Sequence, residues 1–355
     1  MNLREIAAAL GVSPASVSIV RKGLPGVSAA TRRRIAQLLS ENGYAYQEYA
    51  CAPASAASSD HQKARFIRLI KFRRSALLVD QNEGFVEAII DSADTHARTH
   101  GYTLSLSAIS HAEYLAFLRE LAASDCAGLL VLATEMNREE ILALASLPQP
   151  LVVIDSDYPA LPFCTVTMHN RDVAYTAVSR LFALGHAQVG HLRSSIPTGN
   201  FDARGVGYRE ALSAHGHAFD EALCFSLRPS VEGAYADMLS LLHDAPRMPT
   251  AFFADNDVIA AGAMRALTER GYAIPDDISI IGVDNTPLSP LCAPPLSSMQ
   301  ISRFTLGKCA FRALLDQIRH PAQEPVHIRI GAQLIERASC APPPAPDKRR
   351  VLTPV

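Results

Sequence analysis

The sequence predicts an α/β protein in which an N-terminal head of three short helices, a helix-turn-helix, precedes a core of two doubly wound parallel-sheet subdomains. In residues 1–45, apolar residues recur at helical spacing between cap and stop residues. From residue 66 onward, short apolar strands alternate with amphipathic helices, which is typical of parallel sheets with helices on both faces. The length of 355 residues agrees, because about 150 residues form one domain.

The first two helices have the pattern of a helix-turn-helix. One apolar stripe at helical spacing comprises Leu3, Ile6, Ala7 and Leu10. Gly11 suits the left-handed conformation that ends a helix, and Ser13 suits the N-cap of the next helix. The second helix points two apolar side chains inward, Val17 and Val20.

The outward face of the second helix is the candidate DNA-binding surface, because a short helix after a tight turn fits the major groove. Base edges are expected opposite Pro14, Ala15 and Ile19. Phosphates are expected to accept hydrogen bonds from Ser13, Ser16, Ser18, Arg21 and Lys22. Ser28, the expected cap of a third helix that buries Ile35 and Leu39, completes the candidate set.

The charge of the head supports this interpretation. Residues 1–45 contain six basic and two acidic residues, whereas the whole chain carries a net charge of −2. Phosphate attraction needs such a local basic patch. The alternative is a small helical cap with a solvated arginine run at 32–34.

The composition excludes several classes of protein. There is no run of about 18 apolar residues and no early signal-peptide pattern, so neither a membrane span nor secretion is expected. The seven cysteines are scattered without a Cys-x-x-Cys pair, which indicates free thiols in a reducing cytoplasm. No cofactor loop, metal site or catalytic set is evident, so neither a cofactor nor an enzyme is predicted.

After the head, residues 1–45, the chain divides into three further parts. Residues 46–65 are rich in Ala and Ser without apolar periodicity and are predicted to be a linker. The core is predicted over 66–340, and 341–355 form a flexible tail without a leucine heptad. Apolar strands are expected at 66–72, 102–106, 128–132, 151–154, near 165, and at 189–192, 251–254 and 279–283.

Several segments resemble the lactose-repressor type (LacI/GalR) of bacterial transcription regulators. In the head these are Leu-Gly-Val-Ser-Pro-Ala-Ser-Val-Ser (10–18), Val-Ser-Ala-Ala-Thr-Arg-Arg-Arg-Ile (27–35) and Gly-Tyr (43–44). In the core they include Asn-Phe-Asp-Ala-Arg-Gly-Val-Gly-Tyr (200–208), Asp-Asn-Asp-Val-Ile-Ala-Ala-Gly (255–262) and Ile-Pro-Asp-Asp-Ile-Ser-Ile-Ile-Gly-Val-Asp-Asn (274–285). The resemblance covers nearly the whole chain.

The resemblance implies a periplasmic-binding-protein-like core that the chain crosses three times. The implied N-subdomain spans about 66–163 and 296–322, and the C-subdomain about 164–295 and 323–340. The linker departs from the family, which has a hinge helix with a DNA-wedging leucine where this chain has Pro53. Because proline inside a helix costs about 3 kcal/mol, a flexible tether is expected instead.

Polar residues at expected strand ends form the candidate effector site. Asp155, Asn256 and Asp284 each follow an apolar strand, and Arg204 is expected to open a helix. The resemblance implies that these side chains hold a small effector, often a sugar. Phe201 is added for stacking on an apolar sugar face, as is the weaker candidate Phe85; a core role is the alternative for both. His169 stands where the family has Asp before Asn170.

These observations predict a cytoplasmic, homodimeric DNA-binding transcription regulator, a repressor of a palindromic double-stranded operator, controlled by a small-molecule effector such as a sugar. One alternative is a sugar-binding protein of the transport type without DNA-linked regulation. Another is an α/β enzyme with an appended regulatory head, which a catalytic triad or cofactor loop would support.

Overall fold

The computed structural model describes residues 2–21, 29–42, 44, 65–75, 77–78, 83–244 and 246–344. It divides into two compact units, Met1–Gln62 and Lys63–Val355. Lys22, Ser28, Pro53 and the linker up to residue 64 lie outside the described residues, as do 345–355 of the predicted tail. Predictions for those positions therefore stay predictions.

The head consists of α1 (Leu3–Leu10), α2 (Pro14–Arg21) and α3 (Ala29–Glu41). Gly11 has φ +65°, as its predicted role at the end of α1 requires. The backbone N–H of Ser16 donates to the Ser13 hydroxyl at 3.2 Å, so Ser13 caps α2 as predicted. The three helices share one small core formed by Ile6, Ala7, Val17, Val20, Ile35 and Leu39. The predicted helix-turn-helix is confirmed.

The first sheet of the core is entirely parallel in its pairing. Its strands are β1 (Phe66–Arg73), β2 (Thr103–Ser110), β3 (Gly128–Leu132), β4 (Leu151–Ile154), β5 (Cys164–Met168) and β11 (His327–Ile330), in the order β11-β5-β4-β3-β1-β2. The helices of this subdomain are α4 (Glu83–Thr99), α5 (Tyr114–Ala122), α6 (Arg138–Ala143) and α11 (Arg303–Arg319).

The second sheet is parallel except at one edge. Its strands are β6 (Val189–Ser194), β7 (Cys224–Leu227), β8 (Ala251–Ala254), β9 (Ser279–Val283), β10 (Ser297–Ile301) and β12 (Ala332–Ile335), in the order β12-β10-β9-β8-β6-β7. The pair β10–β12 is antiparallel, a feature that the predicted parallel sheet did not include. The helices are α7 (Asn170–Ala183), α8 (Gly199–Ala214), α9 (Val231–His243) and α10 (Asp257–Glu269).

The chain crosses between the subdomains three times, but each crossing lies later than expected. β5 pairs with β4, so the first crossing follows Met168 and not residue 163. β10 pairs with β9 and belongs to the second subdomain, although 296–322 were expected in the first. β11 pairs with β5 and belongs to the first, although 323–340 were expected in the second. Strand pairing decides membership, and the sequence of one strand does not specify its partner.

The helices on each subdomain pack at very short range. A Cβ added to Gly207 of α8 would lie 2.0 Å from the carbonyl oxygen of Arg171 in α7, and one added to Gly307 of α11 would lie 2.3 Å from that of Ile89 in α4. Six described cysteines are free thiols, as predicted. None of the helices in the described ranges combines the length and apolar character that a membrane span requires.

Candidate functional sites

The carboxyl ends of strands from both sheets face a cleft between the two subdomains of the core. The cleft has about 420 Å³ of space not filled by atoms, part of it open to solvent. Its lining comprises Leu78, Phe85, Val86, Thr134, Asp155, Thr198, Asn200, Phe201, Arg204, Asn256 and Asp284. The structure thus brings all five predicted effector-binding residues together, and their role in binding stays a prediction.

Two aspartates reach the cleft from an unusual backbone conformation. Asp155 follows β4 with φ +57°, and Asp284 follows β9 with φ +101°. Non-glycine residues with such angles cost on the order of 1–3 kcal/mol each and persist only where surrounding contacts hold them. Both residues are about 95% buried. Such strain is concentrated at binding sites, which supports a functional role for this pair.

Asp155 is fixed by polar neighbours. Its Oδ2 accepts from the Thr134 hydroxyl at 2.7 Å, and its Oδ1 accepts from the Asn200 amide at 3.1 Å. Burial raises the pKa of the Asp155 carboxyl to about 6, and the neighbouring Asp284 carboxylate adds to the rise, while the hydrogen bond from Thr134 opposes it. The cleft therefore holds a carboxyl group whose pKa lies above that of an exposed aspartate.

Arg204 is buried, and three of its five N–H donors are engaged within the protein. Its Nε donates to Asn170 Oδ1 at 2.9 Å, and its Nη1 donates to the backbone oxygen of Asp255. Its Nη2 lies 3.3 Å from Met168 Sδ and 3.7 Å from Asp284 Oδ1. Arg204 does not open a helix as predicted: α8 begins at Gly199 because the Thr198 hydroxyl accepts the N–H of Phe201 and caps it there.

Asn256 serves two purposes. Its Oδ1 accepts the N–H of Ile259 at 3.0 Å, so it caps α10, which was the alternative to a binding role. It also lines the cleft. Cap and lining are compatible because the cap uses the amide oxygen and the amide nitrogen remains a donor on the same side chain.

The two aromatic candidates lie in the cleft wall. The guanidinium of Arg204 lies over the Phe201 ring, 5.4 Å from its centroid. Phe85 is 4% exposed, belongs to the large apolar core, and also lines the cleft. The expected core role of Phe85 is therefore combined with a position at the site.

Two asparagines connect the candidate residues and were not predicted. Asn170 accepts from Arg204 and donates to Asn200 Oδ1 at 3.2 Å, and Asn200 in turn donates to Asp155. Both asparagines are buried. Asn200 is the first residue of the segment 200–208, which resembles the LacI/GalR family, and it directly precedes Phe201. That position was the only feature of the sequence that could have identified it as a site residue. This network joins the carboxylate of one subdomain to the guanidinium of the other.

Asp257 is a further buried carboxyl, and it was not predicted from the sequence. Its Oδ2 accepts from the Thr286 N–H at 2.9 Å and the Ser289 hydroxyl at 2.5 Å, and its Oδ1 accepts from the Ser298 hydroxyl at 2.6 Å. Burial raises its pKa to about 7, with a further contribution from Asp284. Asp257 thereby holds the segment that follows Asp284.

Several histidines contact other side chains of the core. His191 Nε2 lies 2.8 Å from Asp255 Oδ1 in the interior, and both residues are buried. His215 and His217 both stack on Phe182. In the part of the chain that the structure describes, no group of three or more His, Cys, Asp or Glu side chains is placed to hold a metal ion.

The candidate DNA-binding residues lie along α2 of the head. Ser13 and Pro14 are exposed, and Ser16, Ser18, Ile19 and Arg21 are half-buried. On α3, the described side chains of Arg33 and Arg34 are exposed. The side chain of Ala15 is outside the described part, as are Lys22 and Ser28. The helix that carries most of the predicted contacts is thus present, and the contacts themselves stay predictions.

Comparisons with known proteins agree with this arrangement. Residues 178–340 match a model described as a periplasmic binding protein-like domain. The HTH-type transcriptional repressor CytR of Escherichia coli (strain K12) is 27% identical, covering 94% of this chain and 93% of its own length. The HTH-type transcriptional repressor PurR of Haemophilus influenzae is 28% identical, covering 95% of this chain and 98% of its own length.

A solved structure is similar to the core in both sequence and fold. A LacI-family transcriptional regulator from Enterococcus faecium with bound ribose is 25% identical, with a TM-score of 0.66, over 78% of this chain and 99% of that one. The relatives extend over both the helix-turn-helix head and the two-subdomain core. Over nearly its whole length the chain is therefore similar to HTH-type transcriptional repressors, and its core is similar to that of a LacI-family regulator.

Proposed function

We propose that this chain is a sequence-specific DNA-binding repressor whose operator affinity is set by a small molecule bound in the cleft of the core. The observation that carries the proposal is the occurrence, in one chain, of a basic helix-turn-helix head and a polar cleft between two subdomains. The relatives that match over both parts are repressors and not enzymes.

On DNA, α2 enters the major groove. Pro14, Ala15 and Ile19 face base edges, where an isoleucine can contact a thymine methyl group but cannot form a hydrogen bond. Phosphates accept hydrogen bonds from the serines of α2 and from Arg21 and Lys22, which position the helix without specifying sequence. A homodimer in the cytoplasm presents two heads to a palindromic operator.

In the cleft, the effector is an uncharged polyhydroxyl compound. Among the described residues of the lining, the charged groups are Asp155, Arg204 and Asp284, so acidic groups outnumber basic ones. Three of the five N–H donors of Arg204 are engaged by Asn170, Asp255 and Met168, and its Nη2 also lies 3.7 Å from Asp284 Oδ1, so its charge is partly balanced within the cleft. Carboxylate and amide oxygens are good acceptors for vicinal hydroxyls. The E. faecium relative with bound ribose supports a sugar.

Effector binding would change operator affinity by shifting the populations of the core's two conformational states. A ligand that favours the closed cleft changes the arrangement of the two subdomains across the dimer, and it shifts DNA affinity only by its differential affinity for the two states. A transport-type sugar-binding protein would share the cleft, but the basic head has no role in that function.

Two experiments test the proposal. Selection from a random duplex library should yield a palindrome with half-sites about one helical turn apart, bound with steep salt dependence. A thermal-shift panel should find stabilisation by a neutral sugar among ribose, glucose, galactose and cellobiose. It should find none by ribose 5-phosphate, glucose 6-phosphate or glucuronate. Salt-independent binding without a two-fold site would contradict the DNA proposal, and tight binding of an anionic sugar would contradict the effector proposal.

A further inference from the structure

One arginine contacts both subdomains at the second crossing of the chain. Arg303 is the first residue of α11, which follows β10 of the second sheet but packs on α4 of the first subdomain. The Ser92 hydroxyl of α4 donates to the backbone oxygen of Phe304 at 2.6 Å. Backbone contacts next to Arg303 are thus made with the first subdomain.

The side chain of Arg303 reaches the second subdomain. Its Nη2 donates to the backbone oxygens of Asp284 at 2.5 Å and Asn285 at 2.7 Å. The same guanidinium lies over the ring of Phe85, 5.6 Å from its centroid, and Phe85 is an α4 residue that lines the cleft. Arg303 therefore joins the turn that carries Asp284 to the opposite wall of the site.

The turn at Asp284 and Asn285 is held both by its own subdomain and by Arg303. Asp284 and Asn285 have φ +101° and +45°, angles that non-glycine residues adopt only under constraint. Within the second subdomain, the Asn285 N–H donates to Ser298 Oγ at 3.0 Å, and the Thr286 N–H donates to Asp257. These contacts hold the N–H groups of the turn, whereas Arg303 holds its carbonyl groups.

We propose that Arg303 is a positioning residue that couples the shape of the Asp284–Asn285 turn to closure of the cleft. When the subdomains separate, Nη2 leaves the two carbonyl groups, and the turn loses the support that aims Asp284 at the site. When they close, the contact re-forms. The assignment of an effector to the cleft comes from the proposed function, but the coupling itself can be tested without effector or DNA.

The test is hydrogen–deuterium exchange of the full-length protein, comparing Arg303→Met with wild type. Met keeps the apolar part of the side chain and removes the donors. Protection is expected to fall at least about ten-fold at both 284–286 and 84–90, while strand β8 keeps its wild-type protection. Arg303→Lys, which retains an ammonium donor, should show a smaller loss. Arg312→Met, an exposed change on the same helix, should behave as wild type.

Unchanged exchange at 284–286 would overturn the proposal. So would a loss confined to 284–286, because Arg303 would then support the turn without linking it to the first subdomain. If β8 also loses protection, so that Arg303→Met is not folded, Arg303→Gln replaces it. Its amide ends two bonds short of the arginine Nη2, and the same paired loss is expected. The failure of either sugar or operator binding would leave this result unaffected.

Discussion

The cleft of the core and the helix-turn-helix head are stabilised in contrasting ways. In the cleft, buried polar side chains such as Arg204, Asp155 and Asn170 are bonded mainly to one another. In the head, six buried apolar side chains hold three helices, and the polar residues proposed to contact DNA are exposed or half-buried. A substitution in the cleft leaves buried partners unsatisfied, whereas a surface substitution in the head should alter DNA contacts alone.

The largest effect is expected from the small core of the head. Ile35→Ala removes a fully buried side chain and should cost about 2–5 kcal/mol, which a domain of this size tolerates poorly. Operator binding should be lost, while the thermal transition of the core unit stays in place. Calorimetry and mobility-shift assays check this, with the exposed Ser40→Ala on the same helix as control. Retained operator binding would show that the head does not depend on this core.

The next largest effect is expected in the cleft. Arg204→Met removes a buried guanidinium and leaves Asn170 and Asp284 without their charged partner, so sugar affinity should fall by about 2–5 kcal/mol, at least about thirty-fold. Operator affinity without sugar should be unchanged. Calorimetry with the sugar identified by the panel measures the loss, and the exposed Arg209→Met on the same helix is the control. Equal affinities in both variants would move the site elsewhere.

Two substitutions on α2 should affect DNA binding in different ways. Arg21→Ala should weaken binding to all sequences alike and reduce the slope of log affinity against log salt by about 0.9. Ile19→Ala should change preference at one base position by about 1–3 kcal/mol and leave the salt slope as it is. Binding to a set of singly changed operators separates these outcomes. A sequence-selective effect of Arg21→Ala would reverse the two assignments.

The smallest effect concerns pH. Asp155 and Asp257 have folded-state pKa values of about 6 and about 7, each raised by burial from 3.8. Between about pH 4 and 7 the folded protein therefore binds more protons at these sites than the unfolded chain, so their contribution to stability increases as pH falls. The melting temperature of Asp155→Asn and Asp257→Asn should depend less on pH than that of wild type. The exposed Asp125→Asn should follow wild type, and parallel curves for all four proteins would contradict this.

Much of the fold could be predicted from sequence because local rules decide it. Caps at Ser13 and Gly11, apolar stripes in the head and apolar strands such as 151–154 all depend on neighbours in sequence. The predicted subdomain boundaries fell too early because strand pairing decides membership: β5 pairs with β4, β10 with β9 and β11 with β5, and no local feature of a strand specifies its partner.

The site shows the same contrast between local sequence features and tertiary contacts. Asp155, Asn256 and Asp284 could be located because strand ends meet at one edge of a sheet. Asp257 and Arg303 could not be, because their roles depend on tertiary contacts with Thr286 and with the carbonyl groups of Asp284 and Asn285. The prediction that Arg204 opens a helix failed because Thr198, six residues earlier, caps α8.

The most direct test of the account is the linkage between cleft and head. Fluorescence anisotropy of the selected operator should be titrated with wild type and Arg204→Met, each with and without the sugar that the panel identifies. Saturating sugar should change the operator affinity of wild type by about 5- to 150-fold, which is typical of allosteric coupling. At a sugar concentration just sufficient to saturate wild type, the operator affinity of Arg204→Met should change far less, because this variant binds sugar at least about thirty-fold more weakly. An operator affinity of wild type that does not respond to a sugar bound in the cleft would contradict the account.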